Sequence, residues 1–210
     1  MKPSERYERL DRARLYLVTD AHHQDLRGFL NEALEAGVDV IQIREKDADV
    51  GAIIRAGEVF REAAEHADAL FFVNDRPDVA LALQADGVHL GQDDLPVDIA
   101  REILGPDAII GLSTHSPQQL AEASPDADYV CAGPVWETPT KPGRPAAGLD
   151  FLRYAGEHER RPWFAIGGID AENLPEVVAA GARRIVVVRA ITQAKDPAAA
   201  VRDLLERLPD

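Results

Sequence analysis

Residues 35–47 read EAGVDVIQIREKD, and three structural signals follow one another in that short space. Gly37, after a helical pattern, is a helix stop, because a residue without Cβ ends a helix in the left-handed conformation without steric cost. The chain then enters an apolar, β-branched run formed by Val38, Val40, Ile41 and Ile43. Strand alternation puts Val38, Val40 and Gln42 on one face, with Ile41 and Ile43 on the other. Arg44 and Lys46 carry the parity of Gln42 past the end of the run. Apolar residues on both faces predict a strand of a parallel sheet covered on both sides. The valines are then expected to fill an interior, and the far end of the strand to open onto a polar, anionic partner.

The same turn recurs as QADGVHL at 84–90 and AAGARRIVV at 179–187. Strand patterns cover 14–19, 38–43, 69–73, 87–90, 108–112, 127–131, 162–166 and 184–188. Helical spacing lies between them, as in Leu26, Phe29, Leu30, Ala33 and Leu34, or Val201, Leu204, Leu205 and Leu208 at the end. Eight such units in about 200 residues predict an α/β fold, a single (β/α)8 TIM barrel at the compact end of its range. The competing open, doubly wound sheet would carry GxGxxG or GxxxxGK[ST], and neither occurs. Residues 14–210 are expected to form the barrel domain, and residues 1–13 a short N-terminal extension, as a helix beside the barrel.

Composition narrows the function. The net charge of −14 argues against nucleic acid, whose binding needs a cationic face. No apolar run approaches membrane-spanning length, and the N-terminus lacks a signal-peptide core. Cys131 is the sole cysteine, which excludes a disulfide framework and fits a reducing, cytoplasmic setting. No HExxH or GxSxG occurs, so zinc hydrolysis and a nucleophile elbow lack support.

Barrel active sites lie on the loops that follow the strands. Polar residues concentrate there: Gln42, Arg44 and Lys46; Asn74 and Asp75; Asp93 and Asp94; Ser113, Thr114 and His115; Thr138, Thr140 and Lys141; Gly167 and Gly168; Arg189. Asp75 and Asp94 each have a capping alternative, since a proline follows shortly and starts a helix. Ending neighbouring strands, their carboxylates would also suit one hard cation such as Mg²⁺. Gly167-Gly168 and Val188-Arg189 follow strands seven and eight, where barrels hold phosphate on main-chain N–H groups. With Arg44, Lys46 and Lys141 this makes two anionic handles. His89, inside strand four, reads as a packed histidine, and His115 as a weak ligand candidate.

At these residues the chain resembles the thiamine-phosphate synthase family. The resemblance runs from about Leu15 to Leu205 and rests on QIREK at 42–46, Asn74-Asp75 and ADGVHLGQDD at 85–94. It continues through GLS at 111–113, Gly133-Pro134, TPTKPGRP at 138–145, IGGI at 166–169 and VRAI at 188–191. It implies a transferase that joins 4-amino-5-hydroxymethyl-2-methylpyrimidine diphosphate to a thiazole phosphate, releasing diphosphate. Carried over, Gln42, Ile43, Arg44, Glu45, Lys46, Asn74, Ser113 and Lys141 would hold the pyrimidine diphosphate. Asp75 and Asp94 would bind Mg²⁺, and Thr138, Pro139, Thr140, Gly168, Val188 and Arg189 would hold the thiazole phosphate. Arg44, Lys46 and Lys141 would offset charge growing on the leaving group. Two departures stand out: arginine at 189, where many relatives have serine, and the pair Trp136-Glu137. A tautomerase branch of the same family uses a histidine where Pro134 stands here, which disfavours that activity. A non-catalytic phosphate-binding barrel has no reason to keep both carboxylates and all three cations.

Overall fold

The computed structural model describes residues 3–138 and 145–209. In chain order the elements are α1 (Pro3–Arg12), β1 (Leu15–Thr19), α2 (Leu26–Glu35), β2 (Val40–Ile43), α3 (Val50–Ala67), β3 (Leu70–Asn74), α4 (Pro77–Ala82) and β4 (Gly87–Leu90). There follow α5 (Val97–Leu104), β5 (Ile109–Thr114), α6 (Pro117–Ala121), β6 (Tyr129–Ala132), α7 (Gly148–His158), β7 (Trp163–Ile166), α8 (Leu174–Ala179), β8 (Ile185–Val187), α9 (Arg189–Thr192) and α10 (Pro197–Arg207). The eight strands are parallel and close in sequence order, with β8 returning to β1 in the register Leu15↔Ile185. The (β/α)8 barrel expected from the repeated turn is therefore the fold. Among the described residues, no helix is long and apolar enough to cross a membrane.

Strand alternation separates two cores. Leu15, Leu17, Ile41, Ile43, Phe71 and Val73 point outward and pack under the helices. Tyr16, Val18, Val40, Leu70, Phe72, Tyr129, Cys131 and Phe164 point inward. Four of the inward rings, Tyr16, Phe72, Tyr129 and Phe164, meet with centroids 5.6–6.2 Å apart, several edge to face. Gly111 makes room for this plug, because a Cβ there would lie 2.0 Å from Tyr129 Cζ.

Two expectations are corrected. Val38 does not fill the interior: β2 starts only at Val40, and Val38 lies in the outer core. Its N–H still belongs to the helix end, donating to Ala33 O at 3.2 Å, so strand parity does not yet apply to it. Helix α1 lies across the N-terminal end of the barrel, not beside it. Leu10 and Ala13 complete the inner core from below, and Arg6 Nε reaches Asp86 at 2.8 Å.

That lower end carries a repeated side-chain bond. The residue just before β2 is Asp39, whose Oδ2 accepts from the main-chain N–H of Arg14 and Leu15 at 2.8 and 2.9 Å. Before β4, Asp86 accepts from Phe71 N–H at 3.0 Å. Before β6, Asp128 accepts from Ile110 N–H at 2.7 Å and from Arg101. Each carboxylate thus satisfies a main-chain donor on the preceding strand, and charge-assisted bonds of this kind are stronger than neutral ones. Arg184 holds the equivalent place before β8 and breaks the series.

Asp39→Ala leaves two main-chain donors without their acceptor, so it should cost about 1–3 kcal/mol in urea unfolding. Asp39→Asn, which keeps an acceptor oxygen, should cost less. Equal stability of the alanine variant and the parent would refute the role.

Candidate active site

The C-terminal ends of the strands surround a cavity of about 280 Å³. Of the residues singled out from the sequence, Gln42, Arg44, Asn74, Ser113, Thr138, Gly168, Val188 and Arg189 line it together. Arg44 is the first residue past β2, and its N–H donates to Thr19 O at 2.9 Å, which fixes its place at the rim. Gln42 faces inward because it shares the parity of Val40, and it is 2% exposed.

Two of the expected contact residues are placed differently. The Ile43 side chain is buried in the outer core, so it offers the cavity main chain only. Glu45 Oε1 accepts from Ala21 N–H at 2.7 Å and so holds the loop after β1. It also groups with Asp20 and the exposed His22 at the barrel mouth. Pro139, Thr140 and Lys141 lie outside the described residues.

Both capping alternatives fail. The residue at the start of α4 is Arg76 and that at the start of α5 is Pro96, and neither helix has a side-chain cap bond. Asp75 instead sits in the left-handed region at φ +59°, with its N–H donating to His89 O at 2.8 Å. That conformation brings its carboxyl close enough to Asp94 for the two groups to influence each other. Asp94 Oδ2 is itself held by Gly91 N–H at 2.7 Å. Lys46 Nζ stands 3.8 Å from Asp75 Oδ2. Burial first, and then the facing Asp94, push Asp75 up to about 6, while Lys46 pulls the other way. Two carboxyls and an ammonium therefore converge next to Arg44 and Asn74, which line the cavity, without lining it themselves.

The opposite wall is built by the loops after β6 and β7. Val135 N–H donates to Ile166 O at 2.9 Å and Trp136 N–H to Gly167 O at 3.1 Å, so these loops run paired. Gly167 has φ +108°, and a Cβ there would lie 2.5 Å from Pro134 Cα, which only glycine avoids. Trp136, one of the two departures, is partly buried against the outer core.

Sequence reasoning missed several contributors. Asn173 Nδ2 donates to Gly168 O at 2.8 Å and fixes the glycine turn. His115, which the sequence offered only as a weak ligand candidate, does line the cavity, with Nδ1 2.5 Å from Gly133 O. Gln92 Nε2 donates to Ser113 O at 2.7 Å. The cavity floor is a line of polar side chains from five strands. Gln42 Nε2 donates to the Tyr16 hydroxyl at 2.5 Å, and Tyr16 and Tyr129 hydroxyls are 3.2 Å apart. Tyr129 Oη is 2.9 Å from His89 Nδ1, and His89 Nε2 is 2.8 Å from Ser113 Oγ. Burial pushes both phenols well above their ordinary value, so they stay neutral. The inward parity of Tyr16 in LYLVT was the one available signal; the partners lie up to 113 residues away.

Besides the buried Ser113–His89 contact, the geometry offers cations, a carboxyl pair and glycine-shaped main chain. Comparison with known proteins agrees. Residues 15–191 match the family described as thiamine monophosphate synthase. The thiamine-phosphate synthase of Acidothermus cellulolyticus is 56% identical over 201 residues, covering 93% of this chain and 95% of that protein. That of Thermobifida fusca is 56% identical over 206 residues, covering 96% and 94%. The solved thiamine phosphate pyrophosphorylase of Pyrococcus furiosus superposes with a TM-score of 0.86 at 39% identity, covering 94% of this chain and 96% of that one. With the fold, the ring of strand-end residues and these relatives in agreement, the chain belongs to the thiamine monophosphate synthase family.

Proposed function

We propose that the protein joins the aminopyrimidine diphosphate to the thiazole phosphate, releasing diphosphate and forming thiamine phosphate. The observation that carries this reading is the convergence of Lys46 with the Asp75–Asp94 pair at the rim of a cavity that Arg44 lines. An all-oxygen donor set from two carboxyls suits a hard cation and not a soft one. Their mutual repulsion is also what a dication would relieve, so the residues fit Mg²⁺. When bound, Mg²⁺ would supply positive charge next to the leaving diphosphate.

The chain's own groups do the rest by placement. Arg44, Lys46 and Lys141 offset negative charge as the diphosphate departs and leaves a pyrimidine-methyl cation. Gln42, Asn74 and Ser113 hold the ring. Thr138, Gly168, Val188 and Arg189, with Pro139 and Thr140 as the resemblance implies, hold the thiazole phosphate so that its nitrogen meets the cation. Ile43 would contribute main chain only, and Glu45 support the rim. No protein nucleophile is required, and catalysis is electrostatics plus positioning. The partners on this reading are small phosphorylated molecules, with neither nucleic acid nor membrane, and the setting is the cytoplasm.

Mixing both substrates with Mg²⁺ should release diphosphate and form thiamine phosphate; no diphosphate release would overturn the reading. Asp75→Ala and Asp94→Ala should each shift the Mg²⁺ requirement upward and slow turnover, and unchanged metal dependence would remove them from the site. Lys141→Ala should lose about 2–4 kcal/mol of transition-state stabilisation, measured as kcat, by the usual effect of deleting one electrostatic donor. A pH test bears on the pair directly. The fold raises Asp75 from about 4, its unfolded value, to about 6. Between those values the native state keeps a proton that the unfolded chain has lost. Metal-free protein should therefore lose stability as pH rises through that window. Melting in chelator should show this slope, Asp75→Asn should flatten it, and an unchanged slope in that variant would refute the assignment.

A further inference from the structure

The line across the cavity floor has a direction. An amide nitrogen can only donate, whereas each hydroxyl and the neutral imidazole donate once and accept along the line. With Gln42 donating to Tyr16, the Tyr16 proton runs to Tyr129, the Tyr129 proton to His89 Nδ1, and the His89 Nε2–H to Ser113. The opposite direction would give Tyr16 two donors and leave its own proton without an acceptor. Tyr16 is 1% exposed, and among the described residues its hydroxyl meets Gln42 and Tyr129 alone, so that arrangement is costly. Among the described residues no buried side-chain polar atom lacks a partner. The Gln42 oxygen, which accepts no bond among the described residues, is therefore the end of the amide that reaches the cavity. Ser113, which lines the cavity, then keeps its own proton free of the line.

Turning the amide over would make its oxygen accept from Tyr16. Every link would then have to reverse, and Ser113 would present an acceptor in place of a donor. The two polarities are all-or-none because Tyr129 joins the halves. Tyr129 itself is not among the residues that line the cavity.

We propose that Tyr129 is a positioning residue that couples Gln42 to Ser113 and makes the cavity select an amino-substituted over an oxo-substituted heteroaromatic ring. This rests on the synthase reading, in which the ring lies against Gln42. An exocyclic amine donates to the Gln42 oxygen. An oxo group in its place faces that oxygen acceptor to acceptor, and relief requires reversing all five groups. With Tyr129 cut out of the line, Tyr16 has only Gln42 to donate to, and the amide turns to meet the oxo group.

The test compares kcat/KM for diphosphate release from the aminopyrimidine diphosphate and its 4-oxo counterpart, at saturating thiazole phosphate. The parent protein should prefer the amine by about 10³-fold or more, as sites built to hydrogen-bond a substrate group do. Tyr129→Phe keeps the ring packing and should lower that preference about tenfold or more. An unchanged preference, or equal losses on both substrates, overturns the proposal, since a structural defect would affect both alike. A second measurement does not depend on the variant folding or on turnover. In ¹⁵N spectra of the parent protein, His89 should be neutral with Nδ1 bare and Nε2 protonated. A protonated Nδ1 overturns the assigned polarity. Absence of diphosphate release from the amino substrate would instead count against the synthase reading, leaving the histidine spectrum to decide the line.

Discussion

Everything in this molecule follows from the inward face of eight strands, which must be filled at one end and left usable at the other. Four aromatic rings and helix α1 fill the lower part. Above them the same inward parity delivers Gln42, His89 and Ser113 in place of apolar residues. Because the rings below are packed edge to face, the polar layer rests on a rigid base. The hydroxyls of Tyr16 and Tyr129 belong to both layers: their rings pack in the plug and their oxygens belong to the line above. Packing and polar geometry at this level are one construction.

Charge is arranged on the same plan. On a chain of net charge −14, positive groups at the cavity are exceptions. Arg44 and Lys46 follow β2, and Lys46 faces a carboxyl pair that repels itself. Among the described residues, the other wall is made of paired loops and glycine turns. A substrate pair with one diphosphate and one monophosphate matches that asymmetry. On the proposed reading, the larger anionic charge goes to side-chain cations, and the smaller to main chain and Arg189.

How much of this was legible in the sequence depended on the range of each interaction. Strand parity is local, so Gln42 and its neighbours were placed correctly, as was the packed His89. It failed at Val38 because a helix-end hydrogen bond, invisible in the alternation, still governed that residue. Helix α1 was expected, but its position under the barrel depends on Leu10 and Ala13 meeting side chains far away in sequence. The capping reading of Asp75 and Asp94 could not be tested beforehand, because it turns on the local backbone, which is left-handed at Asp75. The floor line was not legible at all: its links join five strands, and no spacing reports them. The resemblance to a family added what local pattern lacks, the grouping of strand ends into one site.

The aspartate bonds at the lower end also bear on the order in which the barrel assembles. Asp39, Asp86 and Asp128 join strands through contacts only 24, 15 and 18 residues apart in the chain. Such short loops close at small entropic cost. The β7–β8 pair has Arg184 in place of the carboxylate, and β8 must also find β1, whose partner residues Leu15 and Ile185 lie near opposite ends of the chain. Arg184 instead donates to Asp11 O at 2.7 Å, on the N-terminal helix. The chain is thus stitched early in three places and clasped late in one. Ring closure is a long-range event that joins β8 to β1 and draws in the helix before β1.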